Sequence, residues 1–183
     1  MADCVLFVEG SRKTDNGDLR NGFGRLLRQA NPRQMPLIVM CDDTDGAIRK
    51  FQQETGNPNS AFRRVLLLVD LDGPEATRAA WLAAKKLVAH QGQVFFMVQK
   101  MEAWFLAQPA ILHEFYQPKL AHALPAAAPA HVQHPDRELA RCTKDNRKGS
   151  YHKTGHGARL LALLQLPELQ RSFPDVSRLL TAL

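Results

Sequence analysis

The sequence predicts an α/β protein built on a four-stranded parallel sheet with helices on both faces. Over the first hundred residues, four short runs rich in Val, Leu, Ile and Phe alternate with longer segments of helical character. Continuous apolar runs of this length are typical of strands buried on both faces. Strand and helix alternation implies crossover connections, which make successive strands parallel. The apolar share of 45% and the charged share of 23% are those of an ordinary globular chain.

The predicted core contains four strands and four helices. Strands are predicted over 4–8, 37–41, 65–69 and 94–98, and helices over 18–29, 45–54, 75–90 and 110–116. The second helix follows Asp42-Asp43-Thr44-Asp45-Gly46, a sequence typical of a turn and a helix cap. We expect the strand order 2-1-3-4, which makes the first and third strands neighbours.

The pattern changes after residue 116. Residues 123–130 contain two prolines and no bulky core residue beyond Leu124, which indicates a surface loop. Three more helices are predicted over 135–142, 154–165 and 174–183, with Pro135 in a first helical position and Thr154 as a cap. The chain is therefore divided into a core (1–116), an Ala/Pro-rich loop (117–134) and a basic helical extension (135–183).

Acidic side chains follow the ends of the predicted strands. Glu9 follows the first strand, Asp70 and Asp72 follow the third, and Glu102 follows the fourth. Ligands of open parallel sheets bind beyond the carboxyl ends of the strands. Neighbouring carboxylates repel one another unless a positive charge lies among them, and Mg²⁺ accepts oxygen ligands, water and substrate phosphates. These four residues therefore predict a site for Mg²⁺ or Mn²⁺.

Structural roles are an alternative for most of these acids. Asp70 or Asp72 before Gly-Pro-Glu is also consistent with a helix cap, and Glu102 with a carboxylate favoured by a helix dipole. Asp42 and Asp43 favour a turn and cap. Capping does not explain Glu9, because the glutamate side chain is a poor cap.

Two separated motifs resemble a known family. Val5-Leu6-Phe7-Val8-Glu9-Gly10 and, about sixty residues later, Leu67-Leu68-Val69-Asp70-Leu71-Asp72-Gly73 resemble the Toprim domain of topoisomerases, primases, recombination proteins and overcoming-lysogenization-defect nucleases. The resemblance covers residues 3–107. It implies a Toprim-like, Rossmann-like fold and metal-dependent cleavage of DNA or RNA.

Two further segments resemble a narrower group. Residues 100–107 and Tyr151-His152-Lys153-Thr154 look like bacterial Toprim-related proteins known mainly as a domain of unknown function, often encoded beside ATPases in antiphage loci. This resemblance implies an ATPase partner and a role in bacterial defence.

Roles follow for individual residues. Asp70 and Asp72 would bind one Mg²⁺, while Glu9 would act either as general base or as ligand to a second ion. Lys100 and Lys153 are the other candidate catalytic residues. Lys153 precedes a predicted helix start, where free backbone N–H groups favour an anion.

Two other functions stay open. The segment Val69-Asp70-Leu71-Asp72-Gly73 also resembles the first motif of haloacid dehalogenase-like phosphatases, which implies phosphotransfer through Asp70. That family carries the motif on its first strand with Thr or Val after the glycine, whereas here it lies on the third strand before Pro74. The third possibility is a non-catalytic module that binds nucleic acid or a partner protein.

The charge distribution favours a nucleic-acid partner. The formal net charge is +6 and the pI is about 9.5. Basic side chains are concentrated in the extension, and the candidates for phosphate contacts are Arg137, Arg141, Lys144, Arg147, Lys148, Lys153 and Arg159. Such residues contact a phosphate backbone without reading bases, although a solvated surface has the same composition.

The remaining composition predicts a cytoplasmic protein that does not enter a membrane. No apolar run approaches the length of a bilayer span, and the N-terminus lacks the basic region of a secretory signal. The three cysteines, Cys4, Cys41 and Cys142, are an odd number without a close pair. This favours a reducing compartment over a disulfide framework.

Overall fold

Four strands form one parallel sheet in the computed structural model, which describes residues 3–10, 16–117 and 120–183. The strands are β1 (Cys4–Glu9), β2 (Leu37–Cys41), β3 (Arg64–Asp70) and β4 (Val94–Met97). Their order is β2-β1-β3-β4, and each neighbouring pair is parallel. The predicted fold class and strand order are confirmed. Because Glu9 and Asp70 end neighbouring strands, they lie at the same edge of the sheet.

The described residues of the core segment form the helices α1 (Asn16–Arg28), α2 (Thr44–Thr55), α3 (Arg78–Ala84), α4 (Met101–Leu106) and α5 (Pro109–Phe115). The single helix predicted over 75–90 is wrong. The segment consists of α3 between two short 3₁₀ turns, Glu75–Thr77 and Val88–His90. Lys86, with a φ of 57°, has the left-handed conformation that a continuous right-handed helix excludes.

The extension contains four helices: α6 (Pro135–Cys142), α7 (Ala158–Leu161), α8 (Leu166–Ser172) and α9 (Pro174–Ala182). The helix predicted over 154–165 is shorter than expected, because a wide π-helical turn, Lys153–Gly157, forms its first part and α7 ends at Leu161. Pro167 occupies the first turn of α8, where its missing N–H is not needed.

The extension packs on the sheet through one continuous apolar core. Helix α7 lies against α1 at Gly22, where a Cβ atom would approach the Ala158 carbonyl oxygen to 2.7 Å. Asp175 of α9 is 3% exposed and accepts a hydrogen bond from the Phe96 N–H of β4 at 2.8 Å. Its carboxylate also binds Arg78 of α3. The second half of the chain is thereby fixed relative to the strand ends. Within the described ranges, the helices lack the length and apolar character needed to cross a bilayer.

Candidate active site

A cleft of about 490 Å³ opens beyond the carboxyl ends of β1 and β3. It is lined by all six predicted catalytic and metal-binding residues, together with five residues of the extension. Among the described residues, the lining consists of Glu9, Asp70, Asp72, Lys100, Glu102, Asp136, Arg137, Ala140, Tyr151, His152 and Lys153. The structure therefore brings the separated sequence motifs into one place.

Two neighbouring strand ends position the central acids. Glu9 ends β1, and its Oε2 accepts a hydrogen bond from the Asp70 N–H at 3.1 Å. Asp70 ends β3, is 4% exposed, and accepts a hydrogen bond at Oδ1 from the Met101 N–H at 2.8 Å. The backbone therefore holds each carboxylate in a defined place, and the start of α4 is fixed to the same point.

Lys153 supplies positive charge to this pair from the extension. Its Nζ lies 3.5 Å from Asp70 Oδ2, and the lysine side chain is 25% exposed. In the described part of the chain, no other Lys or Arg forms an ion pair with Asp70. The ammonium group therefore supplies the positive charge that neighbouring carboxylates need in order to stay ionised.

Glu102 completes the interior of the cleft. It lies in the first turn of α4, is 2% exposed, and accepts a hydrogen bond at Oε1 from the Tyr151 hydroxyl at 2.8 Å. Tyr151 is buried as well. The position in the first turn fits the dipole alternative, but burial beside Asp70 makes Glu102 part of the same electrostatic group. We call Glu9, Asp70 and Glu102 the carboxylate cluster.

The carboxylate cluster carries more negative charge than Lys153 offsets. Burial, reinforced by the charge of Asp70, raises the pKa of Glu9 from 4.5 to about 7. Burial likewise raises the pKa of both Asp70 and Glu102. Burial alone would lower the pKa of Lys153, but the three carboxylates outweigh it and raise that pKa. With all four groups ionised the net charge is −2, so the cleft favours protons or a cation.

The rim of the cleft is held by a strained turn. Asp72 has a φ of 53°, its side chain is 61% exposed, and its Oδ1 lies 3.9 Å from Lys100 Nζ. The Asp72 N–H donates to the Gln99 carbonyl at 2.8 Å, and the Gln99 N–H donates to the Gly73 carbonyl at 2.9 Å. Lys100 also lies 3.4 Å from Asp136 Oδ2. This exchange of backbone bonds places Asp72 and Lys100 side by side above the carboxylate cluster.

The capping alternatives have different outcomes. Asp43 accepts a hydrogen bond from the Gly46 N–H at 2.8 Å and caps α2, which confirms the structural interpretation of that residue. The turn at Glu75–Thr77 begins at Pro74 without a side-chain cap. Capping of the helical segment that follows by Asp70 or Asp72 is therefore wrong, and Asp70 instead accepts a hydrogen bond from the first N–H of α4.

The predicted phosphate-binding residues do not lie on one surface. Arg137 and Lys153 line the cleft. Arg141 is paired with Glu138, while Lys144 and Arg147 are exposed. Lys148 donates to the Phe115 carbonyl and lies 4.4 Å from the centre of that ring, and Arg159 lies 4.9 Å from the same ring centre. The basic stretch of the sequence is thus divided among several places.

The acidic side chains of the cleft provide some of the ligands that Mg²⁺ needs, but not a full set. Over residues 3–10, 16–117 and 120–183, no three His, Cys, Asp or Glu side chains are arranged to share one metal ion. The predicted ligand set of Glu9, Asp70, Asp72 and Glu102 is therefore not assembled as a closed cage. Mg²⁺ is commonly held by one or two carboxylates together with water and substrate phosphates. Glu9 and Asp70, with the excess negative charge of the carboxylate cluster, fit that requirement.

Sequence reasoning missed three polar residues of the cleft. Tyr151 and His152 lie in a segment that resembles the narrower family, but no role was predicted for them. Asp136 follows Pro135 at a predicted helix start, and no feature of the sequence distinguishes it. The Tyr151-His152-Lys153 sequence was the signal that could have identified two of them.

A family model described as a domain of unknown function (DUF4276) matches residues 9–183. The chain belongs to this family. No curated protein and no solved structure matches it. The matched region begins at Glu9 and runs through the extension, so every residue of the cleft lies inside it.

Proposed function

We propose that this chain is a Toprim-type, metal-dependent nuclease that hydrolyses a phosphodiester bond of nucleic acid in the cleft. The observation that carries the proposal is the carboxylate cluster itself. Its two strand-end acids lie on neighbouring central strands, and the Lys153 ammonium group offsets part of its charge. The order of the Glu9-Gly10 and Asp70-Leu71-Asp72 motifs supports the Toprim assignment.

Glu9 and Asp70 would hold the metal ion. When bound, Mg²⁺ or Mn²⁺ supplies Lewis acidity that polarises the phosphodiester and offsets charge as the leaving oxygen departs. Glu9 would serve either as a ligand of the metal ion or, when it is not coordinated, as the general base that accepts a proton from the attacking water. Only the second role makes use of its metal-free pKa of about 7, because a general base works best with a pKa near the working pH.

The cationic residues would bind and orient the substrate. Lys153 keeps its proton because its pKa is raised, so its ammonium group can donate to a phosphate oxygen beside Asp70. Lys100 and Arg137 lie at the rim, where they would contact neighbouring phosphates. Asp72 holds Lys100 in place through their ion pair, and Tyr151 orients Glu102 through its hydroxyl.

Two other functions have less support. Phosphotransfer through Asp70 depends on a motif that lies here on the third strand before Pro74, whereas the phosphatase family carries it on its first strand. A module that only binds partners has no need for the carboxylate cluster, because raised carboxyl pKa values reduce the stability of the fold at neutral pH.

The narrower resemblance supports a biological setting. Residues 100–107 and 151–154, which carry it, both contribute side chains to the cleft. We therefore extend the proposal to a nuclease effector that acts with an ATPase partner in bacterial defence. Copurification with an ATPase encoded beside it, and a change of cleavage rate when that ATPase and ATP are added, would test this extension.

The nuclease proposal is tested with fluorescent single-stranded DNA, duplex DNA and RNA in Mg²⁺, Mn²⁺ or EDTA. We expect cleavage that needs the metal and is lost in Asp70→Asn. Asp45→Asn is the matched control, because Asp45 is 81% exposed on α2 and lies outside the cleft. Titration calorimetry with Mn²⁺ should show binding to the wild type and the control but not to Asp70→Asn. Wild-type cleavage rates in Asp70→Asn would rule the proposal out.

A further inference from the structure

A second, larger groove lies between α1, α7 and the start of β2. Its volume is about 1000 Å³. Four arginines line it: Arg20, Arg25 and Arg28 from α1 and Arg159 from α7. We call it the arginine groove. Arg159 is one of the residues predicted from the sequence to contact phosphate, whereas the three arginines of α1 are not.

The charge of the arginine groove is almost entirely positive. Among the described residues of its lining, Asp18 is the one acid, so that with the four arginines these residues carry a net charge of +3. Within the described residues, none of the four forms an ion pair with an acidic side chain, so their positive charge is not offset by the protein. Such a surface favours a ligand that carries several negative charges.

The packing of two helices creates the groove. Gly22 lets α7 approach α1 so closely that a side chain at that position would contact the Ala158 carbonyl. Arg159 is thereby brought to the same groove as the three arginines of α1. Leu37, 47% exposed at the start of the edge strand β2, contributes an apolar patch to the floor. Such a surface suits a ligand with regularly repeated charges and apolar groups between them.

One turn separates the arginine groove from the cleft. Thr154 and Gly155 line the groove, while the preceding residue, Lys153, lines the cleft and pairs with Asp70. A chain that lies in the groove can therefore continue past this turn into the cleft.

We propose that the arginine groove binds the phosphodiester backbone of the nucleic-acid strand that is cleaved in the cleft. This inference rests on the proposed function. The arginine groove would bind the part of the strand that lies beyond the reacting phosphate. Guanidinium groups form paired hydrogen bonds with phosphate oxygens, and the described cations of the groove lining are all arginines. Binding of this kind depends on charge and does not depend on base sequence.

The test removes the three arginines of α1 together, as Arg20→Ala, Arg25→Ala and Arg28→Ala. The matched control removes three exposed cations outside the groove, as Arg49→Ala, Lys50→Ala and Arg171→Ala. Binding of a fluorescein-labelled 20-nucleotide DNA strand is followed by fluorescence anisotropy in EDTA, from 50 to 200 mM NaCl. A version with lysine at all three positions keeps the charge, and far-UV circular dichroism checks the folding of each variant.

We expect the groove variant to lose affinity by roughly tenfold or more at 50 mM NaCl. Its plot of log K against log[NaCl] should become shallower by about 2, because each single-strand phosphate contact contributes about 0.7. The control should bind like the wild type, and the lysine variant should recover much of the salt dependence. Unchanged affinity and slope in a folded groove variant would overturn the inference. So would competition by poly-L-glutamate as effective, per charge, as that of unlabelled oligonucleotide.

The failure of the nuclease proposal is distinguishable from this outcome. Bis(p-nitrophenyl) phosphate is too small to reach from the cleft into the arginine groove, so its metal-dependent hydrolysis by the wild type reports on the cleft alone. If the wild type does not hydrolyse it, the nuclease proposal fails. The anisotropy experiment contains no metal ion and still decides whether the groove binds a nucleic-acid strand.

Discussion

Replacing Glu9 with Gln should stabilise the metal-free protein at neutral pH. The Gln side chain keeps an oxygen that accepts the hydrogen bond from the Asp70 N–H, which Glu9 accepts at 3.1 Å. It removes one negative charge from the carboxylate cluster, where burial and Asp70 raise the pKa of Glu9 from 4.5 to about 7. The ionised form of Glu9 is therefore unfavourable in the folded state, and the variant cannot ionise at this position.

The magnitude follows from the linkage between proton binding and folding. Between pH 4.5 and 7 the folded protein retains a proton at Glu9 that the unfolded chain has released, so the free energy of unfolding falls as pH rises. At about 1.4 kcal/mol per pH unit, the loss attributable to Glu9 is about 3 kcal/mol. The raised pKa values of Asp70 and Glu102 act in the same direction. The wild type should therefore be more stable at pH 5 than at pH 8.

Urea denaturation in EDTA at pH 4.5, 6, 7 and 8 measures this effect. The difference between Glu9→Gln and the wild type should change by about 3 kcal/mol in favour of the variant as pH rises from 4.5 to 8. Asp45→Asn is the control, because Asp45 is exposed and lies outside the carboxylate cluster, and its curve should stay parallel to that of the wild type. Adding Mn²⁺ at pH 8 should stabilise the wild type more than Glu9→Gln. Parallel curves for Glu9→Gln and the wild type would refute the reasoning.

Three further changes can be measured by the same urea experiment. Lys153→Met should lower the free energy of unfolding by about 3–5 kcal/mol at pH 8, because it leaves a buried carboxylate without its cation. The loss should be smaller at pH 5, where Glu9 is protonated, and an equal loss at both pH values would contradict this reasoning. Tyr151→Phe should cost about 1–3 kcal/mol, because Glu102 loses its hydroxyl donor, and a neutral result would show that water replaces that bond. Gly22→Ala should cost about 1–3 kcal/mol through its clash with α7, whereas Gly24→Ala, with open space at its Cβ position, should not.

The sequence was sufficient for the fold and for the acids at the strand ends. Apolar runs located all four strands to within one residue at either end, because a strand buried on both faces has no room for polar side chains. Glu9 and Asp70 then follow from a general property of parallel sheets, whose carboxyl ends meet at one edge. The break after α3 was not predictable in this way, since it depends on a left-handed Lys86, a residue type that gives no signal of that conformation.

The residues that the sequence failed to identify depend on tertiary packing. Arg20, Arg25 and Arg28 lie more than a hundred residues before Arg159, and they share a surface only because Gly22 allows α1 and α7 to pack closely. A cluster of basic letters along the chain was therefore a poor guide to a basic surface. The stretch from 137 to 159 is divided among the cleft, the arginine groove, the Phe115 ring and exposed positions.

The carboxylate cluster also explains why the core and the extension must act as one unit. Glu9, Asp70 and Glu102 all belong to the core segment, whereas Lys153 and Tyr151, which offset and bind them, belong to the extension. Without the extension, the three carboxyl groups of the carboxylate cluster would lack the Lys153 ammonium group and the Tyr151 hydroxyl group. Their ionisation would then destabilise the fold. The family match agrees with this dependence, because it begins at Glu9 and continues through both segments. The extension is therefore part of the site, and a nuclease built on this cleft needs both parts of the chain.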